Sequence, residues 1–131
     1  MNKELKPKNE PVFIIKELGW IGVDLDGTLV IHDHNTFNPA HVGEPIQPML
    51  KRVKDWLSKG IEVKIFTARV ASTSANREEA RAAIKAWCRE HVGVELDVTA
   101  EKDYNMIELW DDRCVQVITN TGEPIVSKKQ R

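Results

Sequence analysis

The chain has 131 residues, of which 41% are hydrophobic and 30% are charged, and its formal net charge is −1. This balance is typical of a globular protein rather than a disordered one, and the near-neutral charge argues against a globally basic nucleic-acid or membrane-binding surface. The length suits one domain. We therefore predict a single domain over residues 1–131, with flexible tails at 1–10 and 127–131.

The N-terminal residues and the two cysteines favour the cytoplasm. Residues 1–10 are polar and lack the apolar core of a signal peptide, and no apolar stretch reaches the roughly 20 residues that span a bilayer. Cys88 and Cys114 fit neither a metal-binding spacing nor a disulfide framework. We expect a cytoplasmic protein with two reduced thiols and no membrane partner.

The pattern of apolar residues predicts alternating strands and helices. Helices are predicted over Pro48–Lys59 and from about Asn76 to His91, where Asn76 and Glu79 resemble a capping box. The predicted strands are Pro11–Ile15, Trp20–Leu25, Glu62–Thr67, Leu96–Thr99 and Met106–Trp110, and residues 115–126 predict a hairpin. This alternation predicts an α/β fold with a mainly parallel sheet.

Several polar residues lie at or just after predicted strand ends. Because ligands bind beyond the carboxyl ends of strands in such sheets, we expect these side chains to converge on one rim. They are Asp24, Asp26, Thr67, Lys102, Asp111 and Asp112. Two carboxylates as close as Asp24 and Asp26 repel each other unless a proton or a cation intervenes. Hard oxygen ligands favour Mg²⁺ as that cation.

Four motifs in chain order resemble those of the haloacid dehalogenase superfamily. The segment Asp24-Leu25-Asp26-Gly27-Thr28 resembles its first motif, DxDGT, and Thr67 after an apolar strand resembles the second. Lys102 resembles the third motif and Asp111-Asp112 the fourth. The resemblance spans roughly residues 12–118, and it implies a Rossmann-like three-layer sandwich and a phosphatase activity.

The resemblance also implies a role for each motif residue. Asp24 would be the nucleophile that forms an aspartyl-phosphate, and Asp26 would protonate the leaving oxygen and then deprotonate the hydrolytic water. Thr67 and Lys102 would hold phosphoryl oxygens. The implied ligands of Mg²⁺ are the Asp24 carboxylate, the Asp26 backbone carbonyl, and Asp111 or Asp112.

A shorter similarity suggests a substrate. Thr67-Ala68-Arg69 and Asp111-Asp112-Arg113 are similar to segments of the 3′-phosphatase domains of polynucleotide kinases. Arginine offers a planar fork that matches phosphate oxygens, so Ala68 and Arg69 join Thr67 and Lys102 as predicted phosphate-binding residues. A nucleotide or nucleic-acid end is the leading substrate class. A phosphorylated small metabolite, and a non-catalytic binding module of the same fold, stay open as alternatives.

The chain departs from the family pattern in two places. The connection from Lys102 to Asp111 has no room for the helix that commonly lies there, and residues 29–47 and 68–75 are too short for a cap domain. We therefore predict an open, capless site that admits a bulky substrate or is closed by a second subunit in a homodimer.

Residues 31–45 predict a flap beside this site. They contain three histidines and two prolines and show no clear period. His32, His34 and His41 either contact the substrate or a second metal, or are ordinary loop residues, and the last interpretation is the simplest.

Overall fold

The computed structural model describes residues 19–33 and 38–125. In these residues the chain forms four strands and two α-helices. In chain order they are β1 (Trp20–Asp24), α1 (Gln47–Ser58), β2 (Glu62–Phe66), α2 (Arg77–His91), β3 (Asp97–Thr99) and β4 (Met106–Trp110), with a 3₁₀ turn at Ala68–Val70. The predicted strand Pro11–Ile15 and both predicted tails lie outside the described residues.

The four strands form one sheet in the order β3-β2-β1-β4, and every neighbouring pair is parallel. The predicted α/β class and parallel sheet are confirmed, and the arrangement is compatible with a Rossmann-like fold. Because all four strands run in one direction, their carboxyl ends meet at a single edge of the sheet. β1 and β2 lie at the centre, and residues that follow them therefore approach each other.

One face of the central strands carries the core. Ile21 and Val23 of β1 are paired in register with Val63 and Ile65 of β2, and side chains two residues apart point to the same face. All four are buried in one apolar cluster that includes residues of both helices. The helix residues in this cluster are Met49, Leu50, Val53, Ala80, Ile84, Trp87 and Cys88.

The connection between β3 and β4 contains no helix, as the sequence predicts. Residues 100–105 carry the chain from one edge of the sheet to the other, where β4 pairs with β1. The indole N–H of Trp20 donates to Asp103 Oδ1 at 3.0 Å, and the backbone N–H of Trp20 donates to the Asn105 carbonyl at 2.9 Å. These contacts fix the connection against the start of β1.

Two local predictions differ from the structure. Asn76 occupies the N-cap position of α2, but its side chain makes no capping hydrogen bond, so the predicted capping box is not formed. The predicted hairpin is reduced to an isolated antiparallel bridge between Val117 and Pro124, with Asn120 at a φ of 65° in the turn. No helix among the described residues has the length and apolar character needed to cross a membrane.

Candidate functional site

A cleft of about 940 Å³ opens at the carboxyl ends of β1, β2 and β4. Its lining contains every predicted site residue except Lys102. The predicted residues that line it are Asp24, Asp26, Thr67, Ala68, Arg69, Asp111 and Asp112. The parallel sheet brings these distant parts of the sequence to one edge, as the strand-end argument predicts.

The turn after β1 directs two of these carboxylates. The Leu25 carbonyl accepts hydrogen bonds from the backbone N–H groups of Thr28, Leu29 and Val30, which closes a tight loop. Gly27 has a φ of +92°, a conformation that side chains with a Cβ rarely adopt. Gly27 also approaches Asp112 so closely that a Cβ there would lie 2.6 Å from Asp112 Oδ2.

Asp24, Asp111 and Asp112 form an acidic cluster. Each offers an oxygen, and these oxygens all lie within 4.8 Å of one another. The Thr28 hydroxyl lies 3.1 Å from Asp24 Oδ2 and 3.2 Å from Asp112 Oδ1, and it accepts from the Asp112 backbone N–H at 3.0 Å. Thr28 therefore joins the first predicted motif to the fourth.

The protein environment favours the neutral form of Asp24. Burial raises the pKa of Asp24 from 3.8 to about 7, and the negative charge of Asp111 and a hydrogen bond to Asp112 act in the same direction. The hydrogen bond from Thr28 lowers the pKa and offsets only part of this effect. A partly buried carboxyl beside other carboxylates has a raised pKa because its charged form is disfavoured.

The donor set of the acidic cluster fits a hard divalent cation. Three carboxylates offer oxygen only, and Mg²⁺ prefers oxygen ligands and retains several waters. The Asp26 carbonyl accepts no backbone hydrogen bond from the described residues. Asp111 and Asp112 both have an oxygen in the cluster, and either can serve as the fourth-motif ligand.

Replacing Gly27 with alanine tests this arrangement. The added Cβ would meet the Asp112 carboxylate, and the positive φ would strain the backbone, so we expect the carboxylate to be displaced. The expected result is a Kd for Mg²⁺ weakened by about tenfold or more, measured by calorimetry. Gly122→Ala is the matched control, because Gly122 also has a positive φ but a Cβ there would meet nothing within 4 Å. Equal affinity in the two variants would contradict the arrangement.

Asp26 makes a paired contact with Arg69 on the opposite wall of the cleft. Arg69 Nε donates to Asp26 Oδ2 and Arg69 Nη2 to Asp26 Oδ1, each at 2.8 Å. Arg69 Nη1 donates to the His41 carbonyl at 2.7 Å. The guanidinium therefore links the turn after β1 to the flap, and its side chain is only 10% exposed. Sequence reasoning predicted Arg69 in the site but not this pairing.

Thr67 and Ala68 begin the segment that carries Arg69. Thr67 is 3% exposed, and its hydroxyl accepts from the Arg69 backbone N–H at 3.2 Å. Its own backbone N–H donates to the Thr99 carbonyl at 2.9 Å, which ties the end of β2 to β3. The 3₁₀ turn that starts at Ala68 then directs Arg69 back over the cleft.

Lys102 lies in a different place from the other predicted residues. It is exposed and lines a neighbouring depression with Glu108 and Asp111, outside the lining of the main cleft. Arg113 also lines the cleft, and its backbone N–H donates to Asp111 Oδ1 at 2.8 Å. Sequence reasoning noted Arg113 in a motif without assigning it to the site.

The described start of the flap, at Ile31 and His32, lines one side of the cleft. The Ile31 N–H donates to the Glu44 carbonyl at 2.9 Å, and the Trp87 indole N–H donates to the Gly43 carbonyl at 3.0 Å, so α2 helps to hold the loop. His32 lines the cleft, with Nδ1 at 3.9 Å from Asp26 Oδ1. His41 contributes its carbonyl to Arg69, and His34 lies outside the described residues.

Comparison with known proteins gave no family assignment. No protein-family model, curated protein or solved structure matched the chain.

Proposed function

We propose that this chain is a Mg²⁺-dependent phosphomonoesterase with a haloacid dehalogenase-like, capless fold, and that it acts through an aspartyl-phosphate at Asp24. The observation that carries the proposal is the grouping of Asp24, Asp111 and Asp112 within 4.8 Å, with Asp26 beside them at the same sheet edge. A cluster of three carboxylates at one rim supports a cation site, and the fourth carboxylate supports proton transfer next to it.

In the first step Asp24 attacks the phosphorus of the substrate. A new bond forms between an Asp24 carboxylate oxygen and phosphorus, and the bond from phosphorus to the ester oxygen breaks. The leaving oxygen takes the electron pair of that bond and receives a proton from Asp26. Mg²⁺, when bound by the acidic cluster, supplies positive charge that offsets the repulsion between the anionic substrate and the carboxylate.

In the second step water hydrolyses the aspartyl-phosphate. Asp26, now a carboxylate, accepts a proton from the water as the water oxygen bonds to phosphorus. The bond from phosphorus to Asp24 breaks, which releases inorganic phosphate and restores the carboxylate. The position of Asp26, two residues after the nucleophile on the same turn, allows one group to serve both steps.

The paired contact between Arg69 and Asp26 has a direct consequence for this scheme. A phosphoryl oxygen and the Asp26 carboxylate compete for the same guanidinium donors, which are only 2.8 Å from Asp26. When the phosphoryl group takes those donors, Asp26 is released to carry the proton that the leaving oxygen needs. The Thr67–Arg69 segment and Arg113 then form the cationic and hydrogen-bonding wall around the substrate phosphate, and Lys102 requires a movement toward the cleft to join it.

The openness of the cleft supports a bulky substrate. No cap domain is inserted between the described elements, so a phosphate at the end of a large molecule can reach Asp24. We propose a nucleotide or nucleic-acid terminal phosphate as the substrate and retain small phosphorylated metabolites as the alternative.

Turnover of p-nitrophenyl phosphate in Mg²⁺ and in EDTA tests the reaction class. We expect phosphate release with Mg²⁺ and its loss in EDTA, with recovery when Mg²⁺ is restored. A panel of 3′- and 5′-phosphorylated oligonucleotides, nucleotides and sugar phosphates then compares substrates. The absence of turnover on p-nitrophenyl phosphate and on the whole panel would leave the non-catalytic binding module as the better account.

Replacing Arg69 with lysine is expected to weaken substrate binding. Lysine retains the charge but not the paired donors, so we expect KM to rise by about tenfold or more, as for the loss of a charge-assisted hydrogen bond. The measurement is kcat and KM with p-nitrophenyl phosphate. Arg52→Lys is the control, because Arg52 stacks on Trp110 and does not line the cleft. An unchanged KM in Arg69→Lys would remove Arg69 from the phosphate-binding wall.

A further inference from the structure

A second groove of about 610 Å³ adjoins the candidate active site. The 3₁₀ turn at Ala68–Val70 separates the two, because Ala68 and Arg69 line the first cleft and Val70, which follows them, lines the second. No predicted site residue lies in this groove, and the reaction proposed above does not use it. Its cationic side chains are Arg77 and Arg81 of α2.

Neutral backbone carbonyls hold these two guanidinium groups in position. Arg77 Nη1 lies 3.0 Å from the Ser74 carbonyl and 3.3 Å from the Ser72 carbonyl, and among the described residues it has no carboxylate partner. Arg81 Nη1 donates to the Val98 carbonyl. Because a carbonyl accepts a hydrogen bond without cancelling the charge, the arginines are ordered but remain positive.

Two carboxylates oppose this charge incompletely. Glu78 lies 3.4 Å from Arg81 Nε, but its side chain is 75% exposed, so solvent screens the pair. Glu101 lines the groove and is exposed. An anion that binds here must be attracted to the two guanidinium groups more strongly than Glu101 repels it. This requirement favours a phosphate over a single carboxylate, because a phosphate offers more oxygens to the two arginines.

The groove is close enough to the cleft to act on the same substrate. The Thr67 N–H bonds to the Thr99 carbonyl, so the strand end at the active site and the strand end in the groove are neighbours. Adjacent strands lie about 4.8 Å apart. The strand ends of the two sites are therefore about 4.8 Å apart, and the 3₁₀ turn beyond β2 separates the two ligand positions.

We propose that the groove binds a second phosphate of the substrate. This inference rests on the proposed phosphatase function and narrows it to phosphomonoesters whose second phosphate reaches across the 3₁₀ turn. Such a phosphate occurs both in a nucleoside bisphosphate or oligonucleotide end and in a sugar bisphosphate. Arg77 and Arg81 would position the substrate and take no part in the chemical step.

Paired substrates test the proposal. KM and kcat are measured for adenosine 3′-phosphate against adenosine 3′,5′-bisphosphate, and for fructose 6-phosphate against fructose 1,6-bisphosphate. We expect the favoured bisphosphate to have a KM lower by about tenfold, as for one or two charge-assisted hydrogen bonds. The pair that shows the difference identifies the nucleoside or the sugar source. Equal KM values within both pairs would overturn the proposal.

A double variant, Arg77→Gln with Arg81→Gln, assigns the effect to the groove. The KM advantage of the bisphosphate should disappear, whereas kcat and KM for p-nitrophenyl phosphate should stay unchanged. Arg89→Gln on the last turn of α2 is the matched control, because Arg89 pairs with Glu95 away from the groove. A bisphosphate advantage that survives in the double variant would overturn the assignment. If the double variant does not fold, Arg77→Gln alone is measured instead, because it leaves the bond from Arg81 to Val98 intact. We expect it to remove a smaller part of the KM advantage of the bisphosphate.

The results distinguish a wrong assignment of the groove from a wrong assignment of phosphatase activity. Turnover of p-nitrophenyl phosphate with no preference for bisphosphates would reject the groove and retain the phosphatase. If no substrate is turned over, calorimetric titration with adenosine 3′,5′-bisphosphate and fructose 1,6-bisphosphate still tests the groove. At least tenfold weaker binding of either in the double variant would support it, and equal binding of both would reject it.

Discussion

Replacing Asp24 with asparagine is expected to reduce phosphatase turnover by at least about a thousandfold, because removal of a nucleophile that forms a covalent intermediate costs that much or more. Asparagine has nearly the same shape as aspartate, and the Thr28 hydroxyl at 3.1 Å can still donate to its amide oxygen. The fold should therefore be preserved. The measurement is kcat with p-nitrophenyl phosphate at saturating Mg²⁺, together with a circular dichroism spectrum.

The control for this variant is Asp55→Asn. Asp55 lies on α1, is exposed and pairs with Lys59, so its loss should leave kcat unchanged. If Asp24→Asn retained turnover within about tenfold of the original protein, the aspartate would be a metal ligand or a structural residue rather than the nucleophile.

The second large effect concerns the stability of the metal-free protein. The pKa of Asp24 is about 7 in the folded state and 3.8 when unperturbed, so between these values the folded chain binds a proton that the unfolded chain has lost. The contribution of Asp24 to the free energy of unfolding therefore falls as pH rises from about 4 to about 7. Above pH 7 both states are ionised and the destabilisation is complete.

Thermal unfolding of the protein and of Asp24→Asn in EDTA measures this effect. We expect the variant to have a higher Tm than the original protein at pH 8, with a difference of several degrees that disappears near pH 4. Mg²⁺ should raise the Tm of the original protein at pH 8 and affect the variant much less, because a ligand stabilises the state that binds it. A difference in Tm that does not depend on pH would contradict the assignment to Asp24.

The sequence predicts the sheet and its rim well because the signals are local and periodic. The strands at 20–24, 62–66 and 106–110 are short segments rich in apolar residues that end at turn or polar residues, and parallel strands place their carboxyl ends at one edge. That rule predicts that Asp24, Asp111 and Asp112 share an edge, and the pairing of β4 with β1 brings them together. The failure of the capping box at Asn76 shows that a short motif does not fix a side-chain contact.

The contacts between side chains in the site are less predictable. The paired bond from Arg69 to Asp26 and the link from Thr28 to Asp112 join residues 43 and 84 positions apart, and no periodic pattern reports such pairs. The position of Lys102 depends on the path of the 100–105 connection across the sheet, which has no regular secondary structure. Arg113 was identifiable from its place after Asp111-Asp112, but its position at the cleft depends on the pairing of β4 with β1.

Chemical trapping of the aspartyl-phosphate tests directly whether Asp24 is the nucleophile. Borohydride reduces an acyl phosphate, so the protein mixed with substrate and Mg²⁺, quenched in acid and treated with borohydride should contain homoserine in place of an aspartate. Peptide mass spectrometry locates the modified residue. We expect homoserine at position 24, and only when substrate and Mg²⁺ are both present. Homoserine at position 26, or phosphate release under the same conditions with no modified aspartate, would contradict it.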